Sequence, residues 1–379
     1  MSDPSFGNFG FFGDILKMIG QQGPDAWKET SRQLAANVIH SASGDTNPDP
    51  ALRQRFEMIS PIALRRVATV VEATSEVNVV SRIQLAEMCL TDWQPLLASG
   101  LRPPSTESLS ALGGPEMAPL MSEIAKTMGP LFLGFQSGSA AGHFALHAWS
   151  SSQLPLPRRP LPGAVAIDNV GAFAAEWSID LDHALCYAGA HEAIGANFLS
   201  RDGSAVALEA LLFDAVADAS AAQGDIMQRL TDLFQGGGMD EYINNPDRIM
   251  DQLGDISATP ATVRLDSAIC VLRASIDALA AHISSEVVGP MPSLLEALRR
   301  SQLDSETGEK SAAAMFGVSL AGDSMDNARD FVDSVLASHG HEALLHLTQA
   351  DGLPLPDEVS DATAWFKRVS ASPFANRPL

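Results

Sequence analysis

His191 and Glu192 are adjacent residues whose types could do chemistry together. On helices of zinc-dependent enzymes, two histidines four residues apart share the metal, and a glutamate beside the first histidine activates a bound water. The first histidine and the glutamate are present here, but Gly195 stands at the fourth position after His191 and offers no ligand atom. The motif predicts His191 as a metal ligand and Glu192 as a catalytic general base, with zinc binding in question. Ordinary structural roles for both residues stay open.

Two other histidine pairs have spacings that invite comparison with metal sites. His143 and His147 are four residues apart, but the uncharged stretch around them has no carboxylate to support a metal, which favours hydrogen-bonded interior histidines. His341 and His346 are five residues apart, so their rings would diverge around a helix, and the segment is interpreted as a solvated helix end. Phosphate-binding loops, dinucleotide-binding glycine motifs and serine nucleophile elbows are absent from the sequence.

The His191-Glu192 pair lies on a predicted helix over about 181–199. Asp180 is a plausible N-cap for this helix, and the Ser200 to Gly203 stretch ends it. Ala164 to Asp168 is short and apolar, which indicates a strand. A further helix is predicted over about 204–223.

The stretch from Pro130 to Trp149 carries no acidic or basic residue other than histidine. Its length would suffice for a membrane span, but polar residues interrupt it, and we favour a buried core helix. Gly134, Gly138 and Gly142 recur every four residues, so one helix face is bare backbone that another helix could approach closely.

Composition limits the function classes. The chain has 379 residues, is 46% hydrophobic and only 18% charged, and carries a net charge of −22. Such a charge repels nucleic acid and anionic membranes, so neither is predicted as a partner. Cys89, Cys186 and Cys270 form no closely spaced pair, which favours buried thiols in a reducing, cytoplasmic setting.

The order of these features resembles a zincin-like family of actinobacterial hydrolases and zinc-dependent metalloproteases, one branch of which is associated with biosynthesis of a deazaflavin cofactor. The matching features are the Gly/Phe-rich start, Leu133-Gly134 with Gln136 to Gly142, the loop Leu154 to Pro157, the stretch Asp168 to Trp177, the His191-Glu192-Ala193 helix, and the ending from Leu353-Pro354 through Trp365-Phe366.

The resemblance implies a mostly α, zincin-like helical fold with at most a small β element. It also implies that His191 is a zinc ligand and Glu192 the general base, that Gly195 replaces the second histidine, and that a third ligand lies on the following helix. Glu209 and Asp214 are the candidates for that ligand.

Two functions follow from the resemblance. The chain is predicted to be a metallopeptidase-like hydrolase with a degenerate motif and little or no activity. The alternative is a non-catalytic binding or scaffold protein on the same fold. We expect a Gly/Phe-rich lead-in at 1–24, one helical domain at 25–368 and a tail at 369–379. A protein or peptide partner and a homo-oligomer both stay open.

Overall fold

The computed structural model describes residues 26–43, 47–71, 76–100, 118–158, 162–215, 218, 259–304, 312–318, 320 and 322–372. Within these ranges the protein is helical apart from one small parallel sheet of two strands. This confirms the predicted mostly α fold with a small β element. The predicted lead-in at 1–24 and most of the tail at 369–379 lie outside the described residues, as does the end of the helix predicted to reach residue 223.

The helices, in chain order, are α1 (Ala26–Ser43), α2 (Pro50–Val71), α3 (Arg82–Gly100), α4 (Ala118–His147), α5 (Ile167–Glu176), α6 (Leu181–Ser200), α7 (202–215), α8 (Pro260–Val288), α9 (Pro292–Asp304), α10 (Asp323–His339), α11 (Pro356–Val359) and α12 (Ala362–Ser370). The strands are β1 (Val77–Val79) and β2 (Gly163–Val165), and short 3-10 helices span Ser151–Gln153 and His341–Thr348.

Helix α6 lies at the centre of the described structure. It packs against α2 on one side and α8 on another, with α5 and β2 also in contact, and α8 in turn packs against α10. Every residue from Ala184 to Leu199 is buried. Small residues such as Ala188 and Gly189 let these neighbours come close, so α6 is apolar all round rather than amphipathic. Any polar side chain on α6 must therefore find its partners inside the protein.

Glycines on α4 bring α1 into close contact, as the spacing predicted. A Cβ atom added at Gly138 would lie 2.5 Å from the backbone oxygen of Ser31 and 2.9 Å from its Cα atom. At Gly134 it would lie 2.8 Å from the backbone oxygen of Trp27. These distances are too short for a side chain, so the two helices depend on glycine where they cross.

Helix α8 is long and apolar enough, by length and composition, to cross a membrane. However, 72% of its most apolar window is buried inside the protein, and the core helix of a soluble protein has the same character. The α4 stretch that raised the question in the sequence packs against α1 and α3.

Two interpretations of histidine segments were wrong. His143 and His147 are exposed on α4 rather than interior, because the buried face of α4 is the glycine face and the residues around Ala141 and Phe144. The segment from His341 is a 3-10 helix whose Ala343, Leu344 and Leu347 are buried, not a solvated helix end. The three cysteines are free and buried, as predicted.

Candidate functional site

The side chain of Asp180 fixes the start of α6. It accepts hydrogen bonds from the backbone N–H groups of Asp182 and His183, which confirms the predicted N-cap. About three turns into the helix, His191 and Glu192 are both buried, with 3% and 0% of their surface exposed. Because they are adjacent, they point about 100° apart around the helix. The two side chains therefore enter different surroundings.

Glu192 is held by four hydrogen bonds within the interior. Its Oε1 atom accepts from the backbone N–H of Ala164 at 2.9 Å and from Nη2 of Arg158 at 2.9 Å. Its Oε2 atom accepts from Oγ of Ser152 at 2.6 Å and from the backbone N–H of Ser152 at 3.3 Å. Each oxygen thus receives two donors, which uses the lone-pair capacity of a carboxylate.

This arrangement fixes Glu192 in its ionised form. Burial alone would raise the pKa of the carboxyl group, but the charge of Arg158 and the hydrogen bonds from Ser152 and Ala164 outweigh it, and the pKa is lowered. The partner side chain of Arg158 is only 6% exposed, so the ion pair is shielded from water. Glu192 therefore joins the motif helix to the 3-10 helix at Ser151–Gln153, the loop at Arg158 and strand β2.

The His191 side chain points toward α8, about 100° around the helix from Glu192. Its Nε2 atom lies 3.1 Å from Oδ1 of Asp277, within reach of the carboxylate. The ring also lies against Tyr187, one turn earlier on α6, with centroids 5.7 Å apart. His191 thus belongs to a cluster formed between α6 and α8.

Asp277 is the centre of that cluster. It accepts a hydrogen bond from the Tyr187 hydroxyl at 2.9 Å and one from Nε of Arg273 at 3.1 Å. Burial would raise the pKa of Asp277, but the neighbouring Arg273 charge outweighs it and holds the pKa well below its usual range. For Tyr187, burial and the Asp277 carboxylate raise the pKa well above its ordinary value. Asp277 is accordingly ionised and Tyr187 neutral at physiological pH.

Gly195 lies against the Ser152 side chain. A Cβ atom placed at Gly195 would overlap both the hydroxyl and the Cβ atom of Ser152, and would lie 3.6 Å from its Cα atom. The space where a second histidine would begin is thus filled by Ser152, the residue that donates to Glu192. A larger residue at this position would have to displace that serine.

The residues around His191 do not fit a catalytic zinc site, which takes three protein ligands and an open position. Across the described ranges, no group of three or more histidine, cysteine, aspartate and glutamate side chains is placed to hold a metal. Glu209 and Asp214, the candidates for a third ligand, are exposed on α7, whereas His191 is buried. The assignments of His191 to a metal and Glu192 to catalysis stay predictions.

A cleft of about 550 Å³ opens beside the Asp277 cluster. Tyr187, His191, Arg273 and Asp277 form part of its lining, together with Trp149, Ser150 and Gln153 from the end of α4 and the residues that follow it. The opposite walls come from α9 and α10. Glu192 does not line the cleft, so the two residues of the motif are separated: His191 belongs to the cleft and Glu192 to the interior.

The sequence did not reveal the partners of either motif residue. Ser152 and Arg158 lie 40 and 34 residues before Glu192 in a proline-rich loop without a distinctive pattern. One feature of the sequence could have indicated Arg273 and Asp277. They are an oppositely charged pair at i, i+4 spacing on α8, whose other residues are largely apolar. Charges at such positions in a buried helix need partners and often mark a polar site.

Comparison with known proteins agrees with this architecture. The sequence model of the family described as "Zincin-like metallopeptidase" matches residues 25–366. A crystal structure from Chloroflexus aurantiacus, described as a "putative hydrolase with a novel fold", has the same overall fold with a TM-score of 0.52. It is 14% identical and the match covers 91% of this chain and 98% of that one. No curated protein in the comparison matches. Since the family match spans most of the sequence, the chain belongs to the zincin-like metallopeptidase family.

Proposed function

We propose that this chain is a zincin-like family member without zinc-dependent peptidase activity, and that it uses the cleft at His191 to bind a ligand. The observation that carries the proposal is the state of Glu192. A general base needs a free lone pair directed at a water or substrate proton. Both oxygens of Glu192 are instead occupied by four donors, and none of its surface is exposed.

Releasing Glu192 for catalysis would be costly. Its ion pair with Arg158 is buried on both sides, and breaking a buried pair destabilises a protein by about 3–5 kcal/mol. The hydrogen bonds from Ser152 would be lost as well. A conformational change that freed the carboxylate would thus have to overcome a large fraction of the stability of a typical domain.

The second support is the pair formed by Gly195 and Ser152. A metal held by His191 would lack its partner on the same helix face, and Ser152 fills the corresponding space. Asp277, the carboxylate close to Nε2 of His191, already binds Tyr187 and Arg273. We therefore assign Glu192 to the structure and His191 to the cleft.

Binding in the cleft is the function that remains. The cleft has a polar floor, apolar wall positions such as Leu298 and Val332, and a volume within the range of small-molecule sites. The buried cysteines support a cytoplasmic setting. The narrower resemblance to the actinobacterial branch associated with deazaflavin biosynthesis stays a prediction.

The test combines metal content with hydrolysis. We expect the purified protein to hold well under one zinc per chain by elemental analysis. We also expect no cleavage of a casein digest when zinc is added. Glu192→Gln should lower the unfolding midpoint because the Arg158 charge loses its partner. Glu57→Gln, which removes an exposed carboxylate on α2 outside the cleft lining, is the matched control and should leave stability unchanged.

One combined result would contradict the proposal. Stoichiometric zinc that a chelator removes, together with peptide cleavage that Glu192→Gln abolishes and Glu57→Gln retains, would show that Glu192 acts as a general base. The proposal would then be wrong.

A further inference from the structure

The floor of the cleft contains a buried hydroxyl without a hydrogen-bond partner within the described residues, Oγ of Ser150. It also contains Nε2 of His191, which lies 3.1 Å from the Asp277 carboxylate. Both residues line the cleft, with 1% and 3% of their surface exposed. Buried polar groups in folded proteins nearly always have a partner. An unpaired buried hydroxyl beside an open cleft indicates that a bound molecule supplies the missing bond.

The charges of the cleft define what that molecule carries. Two of the three arginines in the lining are paired with carboxylates: Arg273 with Asp277 at 3.1 Å, and Arg329 with Asp326 at 2.9 Å. The third, Arg299, is exposed on α9. Helix α10, which forms one wall of the cleft, adds two carboxylates to the lining besides those of Asp277 and Asp326.

These carboxylates are Asp330 and Asp333, both exposed. They lie three residues apart and so share one face of α10. Neither makes an ion pair with another residue of the described part of the chain. At the floor, the Asp277 side chain is 26% exposed, but its charge is balanced by Arg273. A positive group on a ligand would therefore find two unpaired carboxylates at the rim.

The wall of the cleft between its rim and its floor is apolar. Ala274, Ala278 and Ala281 on α8 face Leu298 on α9 and Val332 on α10 across the cleft. A purely ionic ligand such as a metal or ammonium ion would leave this surface wet. A ligand with a hydrocarbon portion as well as a charge would bury it.

We infer that the cleft binds an organic cation in which an alkylammonium group is joined to an apolar portion, with Asp330 and Asp333 receiving the charge and the Ser150 hydroxyl forming a hydrogen bond. This inference rests on the proposed function, since it names the ligand class of the same cleft. Two sources share the chemistry: a lysine-containing peptide and a polyamine.

The experiment is calorimetric titration at low salt. N-acetyl-Leu-Lys-amide is the first probe, and spermidine is the second. N-acetyl-Leu-norleucine-amide has nearly the shape of the first probe without its charge. We expect the lysine peptide to bind at least about tenfold more tightly than the norleucine peptide, and its affinity to fall with added salt. Tighter binding of spermidine would assign the polyamine source, and tighter binding of the peptide the peptide source.

Variants separate a binding role from a structural one. The double variant Asp330→Asn with Asp333→Asn should weaken cation binding about fivefold. The charge-matched double variant Glu57→Gln with Glu87→Gln, at exposed positions of α2 and α3 outside the cleft lining, should bind like the unaltered protein. Ser150→Ala should weaken binding about fivefold without lowering the unfolding midpoint of the free protein, because its hydroxyl has no partner to lose.

Equal affinity for the lysine and norleucine peptides, no binding of either cation, or unchanged affinity in the Asp330/Asp333 variant would overturn the inference and leave the proposed function in place. Cleavage of N-acetyl-Leu-Lys-amide on addition of zinc would overturn the proposed function, whereas cation binding would still stand. The two failures are therefore distinguishable.

Discussion

Replacing Gly195 by alanine tests whether Ser152 occupies the place of a second histidine. The new methyl group would overlap the Ser152 side chain, and overpacking a buried site costs about 1–3 kcal/mol. Moving Ser152 aside would also weaken its 2.6 Å hydrogen bond to Glu192, and a bond to a charged group contributes about 1.5–3 kcal/mol. Alanine recovers about 0.8–1.0 kcal/mol of helix propensity. We expect a net destabilisation of about 3 kcal/mol.

A double-mutant cycle with Ser152→Gly isolates the contact. Ser152→Gly alone loses the hydroxyl donor and should cost about 1.5–3 kcal/mol. In the double variant the methyl group introduced by Gly195→Ala enters the space that the serine left, and the hydrogen bond is lost only once. The double variant should therefore be more stable than the sum of the single effects predicts, by about 1–3 kcal/mol. Urea unfolding of the four proteins gives these values. A strictly additive cycle, or a Gly195→Ala variant as stable as the parent, would refute the packing of Ser152 against Gly195.

Two further predictions concern the helix contact and pH. Gly138→Leu should destabilise the protein by about 3 kcal/mol or more, because its Cβ atom meets the Ser31 backbone, which cannot rotate away; Gly171→Ala is the control, since its Cβ atom meets the end of the Leu52 side chain. An unchanged urea midpoint for Gly138→Leu would contradict the close helix contact. Because the pKa of Glu192 is lowered from 4.5 in the folded state, its stabilising effect should be complete above about pH 4.5 and be lost as the pH falls below that value. Glu192→Gln should thus be less stable at neutral pH and lose less stability on acidification; parallel pH curves for the two proteins would contradict this assignment.

Local signals in the sequence predicted much of the fold. The N-cap at Asp180, the glycine repeat of α4 and the motif helix are each determined by residues close in sequence, and such signals can be read directly. The zincin-like family was likewise predicted from the order of motifs, and the family match confirms it.

The surroundings of the site could not be predicted in the same way. Because α6 is buried on all sides, its sequence has no polar face that would show where His191 and Glu192 point. Their partners come from distant segments: Tyr187 on α6 and Asp277 on α8 are 90 residues apart. The expected interior position of His143 and His147 failed for a related reason, since an uncharged helix can still have an exposed face.

The geometry of Glu192 also limits what a His-Glu pair in a sequence can indicate. In this chain Glu192 joins Ser152, Arg158 and Ala164 to helix α6 through four hydrogen bonds. The fold therefore depends on a carboxylate at this position whether or not a metal is bound. Replacing it would leave a buried arginine without a counter-charge, which is costly in itself. The pair therefore does not distinguish a peptidase from a binding protein. Position 195 does, because a histidine there needs space that Ser152 now fills, and Ser152 can leave only if Glu192 loses one of its donors. A second ligand and a fully hydrogen-bonded glutamate are thus mutually exclusive in this packing, which is the physical reason for proposing a structural role for Glu192 and a place in the cleft for His191.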